Sequence, residues 1–425
     1  MSIIILTILY EEKINMKIRV AVIFGGESVE HEISIISALQ AIENFDIEKY
    51  EVIPVYIAKN NDWYVGNVLK DIKNYTDLDF IVKNAKRVKL ITDKHRYFLY
   101  EYPFKAFAKK PIAEFDVAFP IVHGTNVEDG ILQGLLEANR IPYAGPKVSS
   151  AAVGQDKVLM KMIWQAADLP ILPFVWLFKE QWEEDKTNYV EALVKELDFP
   201  MIIKPACLGS SVGISIAHTK TELIASIDEA TKYDKKIVIE KALTNFTEMN
   251  CSVLGDGINV EVSEIEKVFT GEELLSYQEK YQGDSTKSKT GKLVNNNSKN
   301  SPKLSGGMAN TSREIPANVS EEIRKNVQAL AKLSFVTLGM SGVSRIDFLM
   351  DNETSEIYLN EINTIPGSLS FYLWQATGKS FKELLTNLID VAIKQFKERE
   401  KNTYTYDTNV LATHAQNVQG TKGKK

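Results

Sequence analysis

Short apolar runs that stop at glycine alternate along this chain with stretches in which apolar residues recur every three or four positions. Residues 18–24 (IRVAVIF) read as a buried strand ending at Gly25-Gly26, and Ile33, Ile36, Leu39 and Ile42 then fall on one helical face. Further strands are expected at 50–57 and 115–122, the latter ending at His123-Gly124. A helix at 130–138 and a return to the sheet at 141–145 complete the βαβ rhythm. This pattern predicts an α/β domain with a parallel sheet, whose functional loops sit at the carboxyl ends of its strands.

Past Pro146 the rhythm changes. Residues 147–167 read as helices, and strands at 199–204 and 213–216 flank the segment ACLGSSVG; a helix at 221–232 and a strand at 236–240 follow. Asn318 and Glu321 have the spacing of a capping box for a helix carrying Ile323, Val327, Leu330 and Ala331, which Gly339 ends. The expected organisation is an α/β fold, α+β in its C-terminal part, with three domains. Residues 1–15 are an upstream extension before Met16, 16–146 an N-terminal substrate domain, 147–235 a central domain, 236–398 a C-terminal catalytic domain and 399–425 a polar tail. The segment 283–307, rich in Ser, Asn, Gly and Lys, is too long and polar for an ordinary connection, which marks it as functional or disordered.

Composition narrows the classes. At 425 residues the chain needs more than one core, and its 44% apolar and 25% charged residues are those of a globular protein. A net charge of −6 speaks against general nucleic-acid binding. The apolar stretch 2–10 is too short to span a bilayer, so no membrane partner is expected. Cys207 and Cys251 form no CxxC pair and the five histidines no HExxH motif, which argues against a disulfide framework or a structural zinc site and is compatible with a reducing compartment.

Four segments could carry chemistry. IIKPACLGSSVGIS (202–215) runs from a strand through a glycine- and serine-rich turn into another strand. It is either a phosphate-cradling loop, with Lys204 as fixed cation and Ser210 and Ser211 as donors, or a hairpin with an incidental lysine. SGVSRIDFLM (341–350) and EIYLNEIN (356–363) read as strands joined by a turn. Residues two apart share a strand face, so Arg345 aligns with Asp347 and Glu361 with Asn363. Paired as a hairpin, these strands bring three oxygen ligands beside a guanidinium, a set suited to magnesium. Charged residues inside apolar strands are costly unless they bind something. In NTIPGSLS (363–370), Pro366-Gly367 offers a turn whose N–H can face a substrate oxygen. In FGGESVEHEIS (24–34), Glu30 either favours a helix N-terminus or holds a substrate ammonium.

Taken in order with HGTNVEDGILQG, QDK (155–157) and YQEKY (277–281), these motifs resemble the D-alanine–D-alanine ligases of bacterial cell-wall synthesis, in the ATP-grasp superfamily. The resemblance runs from about Lys17 to Leu385. It implies a cytoplasmic, homodimeric enzyme that joins two D-alanines with ATP and two magnesium ions, manganese being able to substitute. It assigns the first ammonium to Glu30, ATP phosphates to Lys157 and Lys204, adenine and ribose to Glu240 and Glu248, and the metals to Asp347, Glu361 and Asn363. The oxyanion falls to Arg345 and the Gly367 N–H. Ser210 and Tyr281 complete a network with Glu30, and Ser211 and Lys280 join the nucleotide site. Three departures stand out: the long insert after YQEKY, Cys207-Leu208 before the glycine, and Tyr372 where many relatives carry serine near the second substrate. A ligase with D-serine or D-lactate as second substrate, or an inactive nucleotide-binding regulator, are the competing readings.

Overall fold

The computed structural model describes residues 17–104, 110–210, 212–269, 312–405, 408–411 and 414–415. Ser211, Tyr277, Lys280, Tyr281, the insert 283–307 and the N-terminal extension lie outside the described residues.

The first sheet is built from β1 (Ile18–Gly25), helix α1 (His31–Asn44), β2 (Tyr50–Ile57), β3 (Trp63–Val65), helix α2 (Leu78–Asn84), β4 (Lys86–Asp93), β5 (Arg96–Glu101), β6 (Ala113–Phe115) and β7 (Val117–Pro120). Its strand order is β6-β5-β4-β3-β2-β1-β7. β1 pairs in parallel with β2 and β7, but β2 through β6 form an antiparallel meander. The expected parallel sheet is thus mixed. The reason lies in short connections: β4 and β5 are joined by Lys94 and His95 alone, both at positive φ (46° and 62°). A two-residue turn of that kind can join only antiparallel strands. After β7, helix α3 (Ile131–Ala138) starts at left-handed Gly130, and the expected strand at 141–145 makes one bridge, Ala118 to Tyr143.

Helix α1 also turns differently from the expected face. Ser34, Ile35, Ala38, Leu39 and Ala41 are buried on the sheet, whereas Ile33 and Ile36 line a cleft. Ser34 can face inward because its hydroxyl donates to Ile121 O (2.6 Å) and accepts from Gly25 N (2.8 Å).

Helices α4 (Val148–Gln155) and α5 (Lys157–Ala166) lead to the second sheet. It comprises β8 (Phe174–Phe178), α6 (Lys179–Glu184), α7 (Lys186–Leu197), β9 (Met201–Pro205), β10 (Ser215–Ala217), α8 (Lys220–Ala230) and β11 (Lys236–Lys241), in strand order β10-β9-β11-β8. The third holds β12 (Phe246–Gly255), β13 (Val260–Phe269), β14 (Ser312–Glu314), α9 (Glu321–Thr337), β15 (Gly342–Asp351) and β16 (Ile357–Asn363), in order β14-β13-β12-β15-β16. Helices α10 (Phe371–Ala376) and α11 (Phe381–Arg399) follow.

Packing runs across the expected spans 16–146, 147–235 and 236–398. β11 pairs with β8 and β9 and so belongs to the middle sheet, while Met160 and Trp164 of α5 pack into the core of the third. Helix α11 buries Phe381, Leu384, Leu385, Leu388 and Ile389 in the core of the first sheet. Each such side chain is worth roughly 1.5–3 kcal/mol, enough to tie the end of the fold to its beginning. The cap of α9 is Ser320, whose Oγ accepts from Ile323 N at 3.2 Å, instead of Asn318, whose backbone donates to Glu314. Among the described residues no helix is long and apolar enough to cross a membrane.

Candidate active site between the three sheets

A cleft of about 970 Å³ lies between the sheets. Its floor is the β15–β16 hairpin, which pairs Arg345 with Asn363 and Asp347 with Glu361 across the strands. A bulge next to Asp347 leaves Asn360 without a cross-strand partner, and Asn360, Glu361 and Asn363 all line the cleft. Asp347 is 4% exposed. It accepts from Arg345 Nε and Nη2 (2.7 Å each) and from Asn363 Nδ2 (3.0 Å). Burial pushes its carboxyl up and the Glu361 charge adds to this, against the pull of Arg345. Two carboxylates of like charge with an amide beside them are hard oxygen donors that a divalent cation would relieve, so the set fits magnesium. Among the described residues no three His, Cys, Asp or Glu side chains are placed to hold a metal ion, so the amide of Asn363 would be needed to complete a ligand set.

The wall opposite is cationic. Asp156 caps α5 by accepting from Val158 N and Leu159 N and pairs with Lys236, which fixes the helix start. Lys157 then reaches Leu208 O (2.8 Å) and lies 3.6 Å from Glu361. From β9, Lys204 donates to Asn360 Oδ1 (3.2 Å) and pairs with Glu240 of β11 at 3.0 Å. Both Glu240 oxygens are buried, one 3.0 Å from Lys204 Nζ and the other 3.0 Å from Lys161 Nζ, and Glu240 lines the cleft. Lysines beside a carboxylate acceptor make the wall a fit for a nucleotide. Glu248 and Asn250 of β12 extend the floor.

At the third side stands Glu30, the N-cap of α1, whose side chain makes no capping bond. It accepts instead from the Ser210 hydroxyl, 180 residues away. Two glycines make room for this carboxylate. A Cβ on Gly124 would lie 2.9 Å from Oε2, and one on Gly209 would lie 2.8 Å from it. Ser210 itself holds a left-handed φ of 55°, a strain that aims its hydroxyl at Glu30.

The loop after Asn363 is fastened from the first domain. Glu128 accepts from Thr364 Oγ1, Ile365 N (both 2.8 Å) and Gly124 N (2.9 Å). Its carboxyl is pushed up to about 7 by burial and by the Glu30 charge. Ser368 N donates to Ser37 Oγ (2.9 Å), which lies 3.0 Å from His123 Nε2. Burial lowers His123 to about 4, so the ring is neutral near pH 7 and its Nε2 can accept the Ser37 proton. Ser368, Leu369 and Ser370 are all left-handed, a turn that brings Gly367 to the cleft.

Of the expected site residues, Glu30, Lys157, Lys204, Ser210, Glu240, Glu248, Arg345, Asp347, Glu361, Asn363 and Gly367 all line this one cleft. Residues 211, 280 and 281 lie outside the described residues. Sequence reasoning missed Glu128, Ser37, Asn360 and Lys161. Glu128 stands in HGTNVEDG and was within reach, whereas Asn360 depends on a bulge that no alternation reveals. Cys207 is half-buried with its thiol pushed up to about 12 by burial, in keeping with an inert cysteine.

A mixed sheet domain closing a cleft over two antiparallel sheets, with lysines on one wall and acidic side chains on the floor, defines an ATP-grasp ligase. The D-ala D-ala ligase N-terminus family model matches residues 19–146, and the D-ala D-ala ligase C-terminus model matches 163–305 and 299–390. The chain belongs to the D-alanine–D-alanine ligase family. It is 36% identical over 394 residues to the D-alanine–D-alanine ligase of Thermosipho melanesiensis, covering 93% of this chain and 98% of the relative. The Clostridium novyi enzyme of that name is 35% identical over 386 residues, covering 89% and 99%. Among solved structures, the D-alanine-D-alanine ligase from Coxiella burnetii is similar with a TM-score of 0.72 at 26% identity, covering 91% of this chain and 96% of that one. The VanG D-Ala:D-Ser ligase from Enterococcus faecalis is similar with a TM-score of 0.69 at 27% identity, covering 89% and 100%.

Proposed function

We propose that this protein joins two D-alanines into D-alanyl-D-alanine for peptidoglycan precursors, forming ADP and phosphate from ATP. The observation that carries this reading is the meeting in one cleft of Glu30 and Ser210, the lysine wall, and the Arg345–Asp347–Glu361–Asn363 hairpin. When bound, magnesium-ATP supplies the phosphoryl group that turns the first D-alanine's carboxylate into an acyl phosphate. Glu30 holds the ammonium of that D-alanine. Lys157 and Lys204 hold the phosphates, Glu240 accepts from the adenine amine and Glu248 takes the ribose. Asp347, Glu361 and Asn363 hold the two magnesium ions. Arg345 spends Nε and Nη2 on Asp347, which leaves Nη1 to meet the oxyanion together with the Gly367 N–H.

Ser211, Lys280 and Tyr281 complete the site in the same reading, which includes a homodimer in the cytoplasm. Light scattering after size exclusion tests the dimer. Tyr372, which donates to Glu266 Oε2 (3.3 Å), adds bulk where the second substrate would enter and favours D-alanine over D-serine. ADP release with product mass, measured across D- and L-amino acids and D-lactate at equal concentration, tests the function. D-alanyl-D-alanine should predominate. Depsipeptide or D-alanyl-D-serine as main product would reassign the second substrate, and no ADP with any acceptor would leave a nucleotide-binding regulator.

A further inference from the structure

Lys161 has no place in the chemistry above, yet it is a charged side chain at 0% exposure. It follows Lys157 by one turn of α5, so the two lysines share a helical stripe. Lys157 opens onto the cleft, and Lys161 stops behind its wall. There its Nζ lies 3.0 Å from one oxygen of Glu240, while Lys204 Nζ lies 3.0 Å from the other. Glu240 is 1% exposed and is therefore flanked by two cations, only one of which faces the cleft. Burial of a lone lysine ammonium is strongly unfavourable, and a lysine whose only task was packing would be better replaced by an apolar residue. The charge count explains its presence. Glu240 with Lys204 alone is neutral, whereas Glu240 with both lysines carries one positive charge toward the nucleotide.

We propose that Lys161 is a positioning residue: by pairing with Glu240 from behind the wall, it keeps that carboxylate from neutralising Lys204 and leaves Lys204 as an uncompensated cation for phosphate oxygens. The inference rests on the assignment of Lys204 to the nucleotide phosphates. It separates two jobs on one carboxylate, since Glu240 can present an oxygen to adenine without cancelling the phosphate-binding charge. A charge-positioning role acts on ligands with phosphates and spares those without.

The test is the ratio of affinities for a β,γ-imido ATP analogue with magnesium and for adenosine, measured by calorimetry on the full chain. Lys161→Met should lower this ratio at least tenfold, which corresponds to about 1.4 kcal/mol, with adenosine affinity nearly unchanged. Lys161→Gln, which keeps a donor for Glu240, carries the same prediction should the methionine variant fail to fold. The double variant Lys161→Met/Glu240→Gln removes the opposing charge, and its ratio should return to within threefold of the starting protein. Equal losses for both ligands, an unchanged ratio in Lys161→Met and Lys161→Gln, or no recovery in the double variant would overturn the proposal. Lys204→Met separates the two levels of the inference. A ratio that falls there but not in the Lys161 variants defeats only the role of Lys161, and one that stays constant there defeats the phosphate assignment itself.

Discussion

Gly209 and Gly124 press on the same carboxylate, and this makes a single methyl group a sensitive probe of the site proposed for the first substrate. Gly209→Ala would place a Cβ 2.8 Å from Glu30 Oε2. The carboxylate must then move, and the Ser210 contact with it. We expect the KM for D-alanine at the first site to rise at least tenfold, while the melting temperature shifts by only a few degrees. Glu361 is read as a ligand on the metal-binding floor, so Glu361→Gln should abolish turnover with the fold intact; near-normal ADP formation would remove the metal assignment. Glu128 gives a pH prediction. Its folded-state carboxyl is raised from 4.5 to about 7, so its contribution to stability is fully present below about 4.5 and is lost as pH rises through about 7. The full difference is worth about 3 kcal/mol. Glu128→Gln can still accept from Thr364 and Ile365 through its amide oxygen but does not titrate. Its melting temperature should therefore fall less between pH 5 and 8 than that of the unsubstituted protein, and parallel slopes would refute the shift.

Among the elements, the loop 364–370 depends most on its neighbours. Three consecutive left-handed residues without a glycine cost backbone energy, and the bonds from Glu128 and Ser37 offset it. Ser37→Ala leaves the Ser368 N–H without its acceptor, a loss of about 1–3 kcal/mol at a half-buried site. Turnover should drop several-fold through misplacement of Gly367, with nucleotide affinity unchanged as measured by analogue binding. The β15–β16 hairpin was legible because Asp347 and Glu361 interrupt apolar strands, with Arg345 and Asn363 two positions away. The β4–β5 hairpin was not, because its turn uses Lys94 and His95 in place of the Asn-Gly pair that announces such turns. Helix α1 misled for a related reason. Its isoleucines at 33 and 36 suggested a core face, but they line the substrate cleft, and Ser34 and Ser37 go inward because each finds a hydrogen bond there. Periodicity counts apolar residues, and it cannot tell a core from a binding cleft.

For the whole molecule, the cleft exists only where three sheets meet, and no stretch of sequence contains it. Order and spacing of motifs brought its residues together on paper; burial, the bulge at Asn360 and the lysine behind the wall emerge only from packing. The first sheet is completed by α11, the last long helix among the described residues. Leu388→Ala should cost about 2–5 kcal/mol and loosen the core of the first sheet, although residue 388 lies far beyond α3 in the chain. Hydrogen exchange should then speed up in β1 and β7 more than in β12 and β15; the reverse ranking would contradict the packing.

That late closure has a consequence for synthesis on the ribosome. β1 to β7 leave the exit tunnel well before residues 381–392, whose apolar side chains help cover the core of the first sheet. At typical rates of elongation of about 5–20 residues per second, the roughly 250 intervening residues delay that cover by roughly 12–50 s. Throughout that interval the nascent first sheet presents the kind of surface that chaperones bind. The core of the first sheet is therefore completed only after residues 381–392 have emerged.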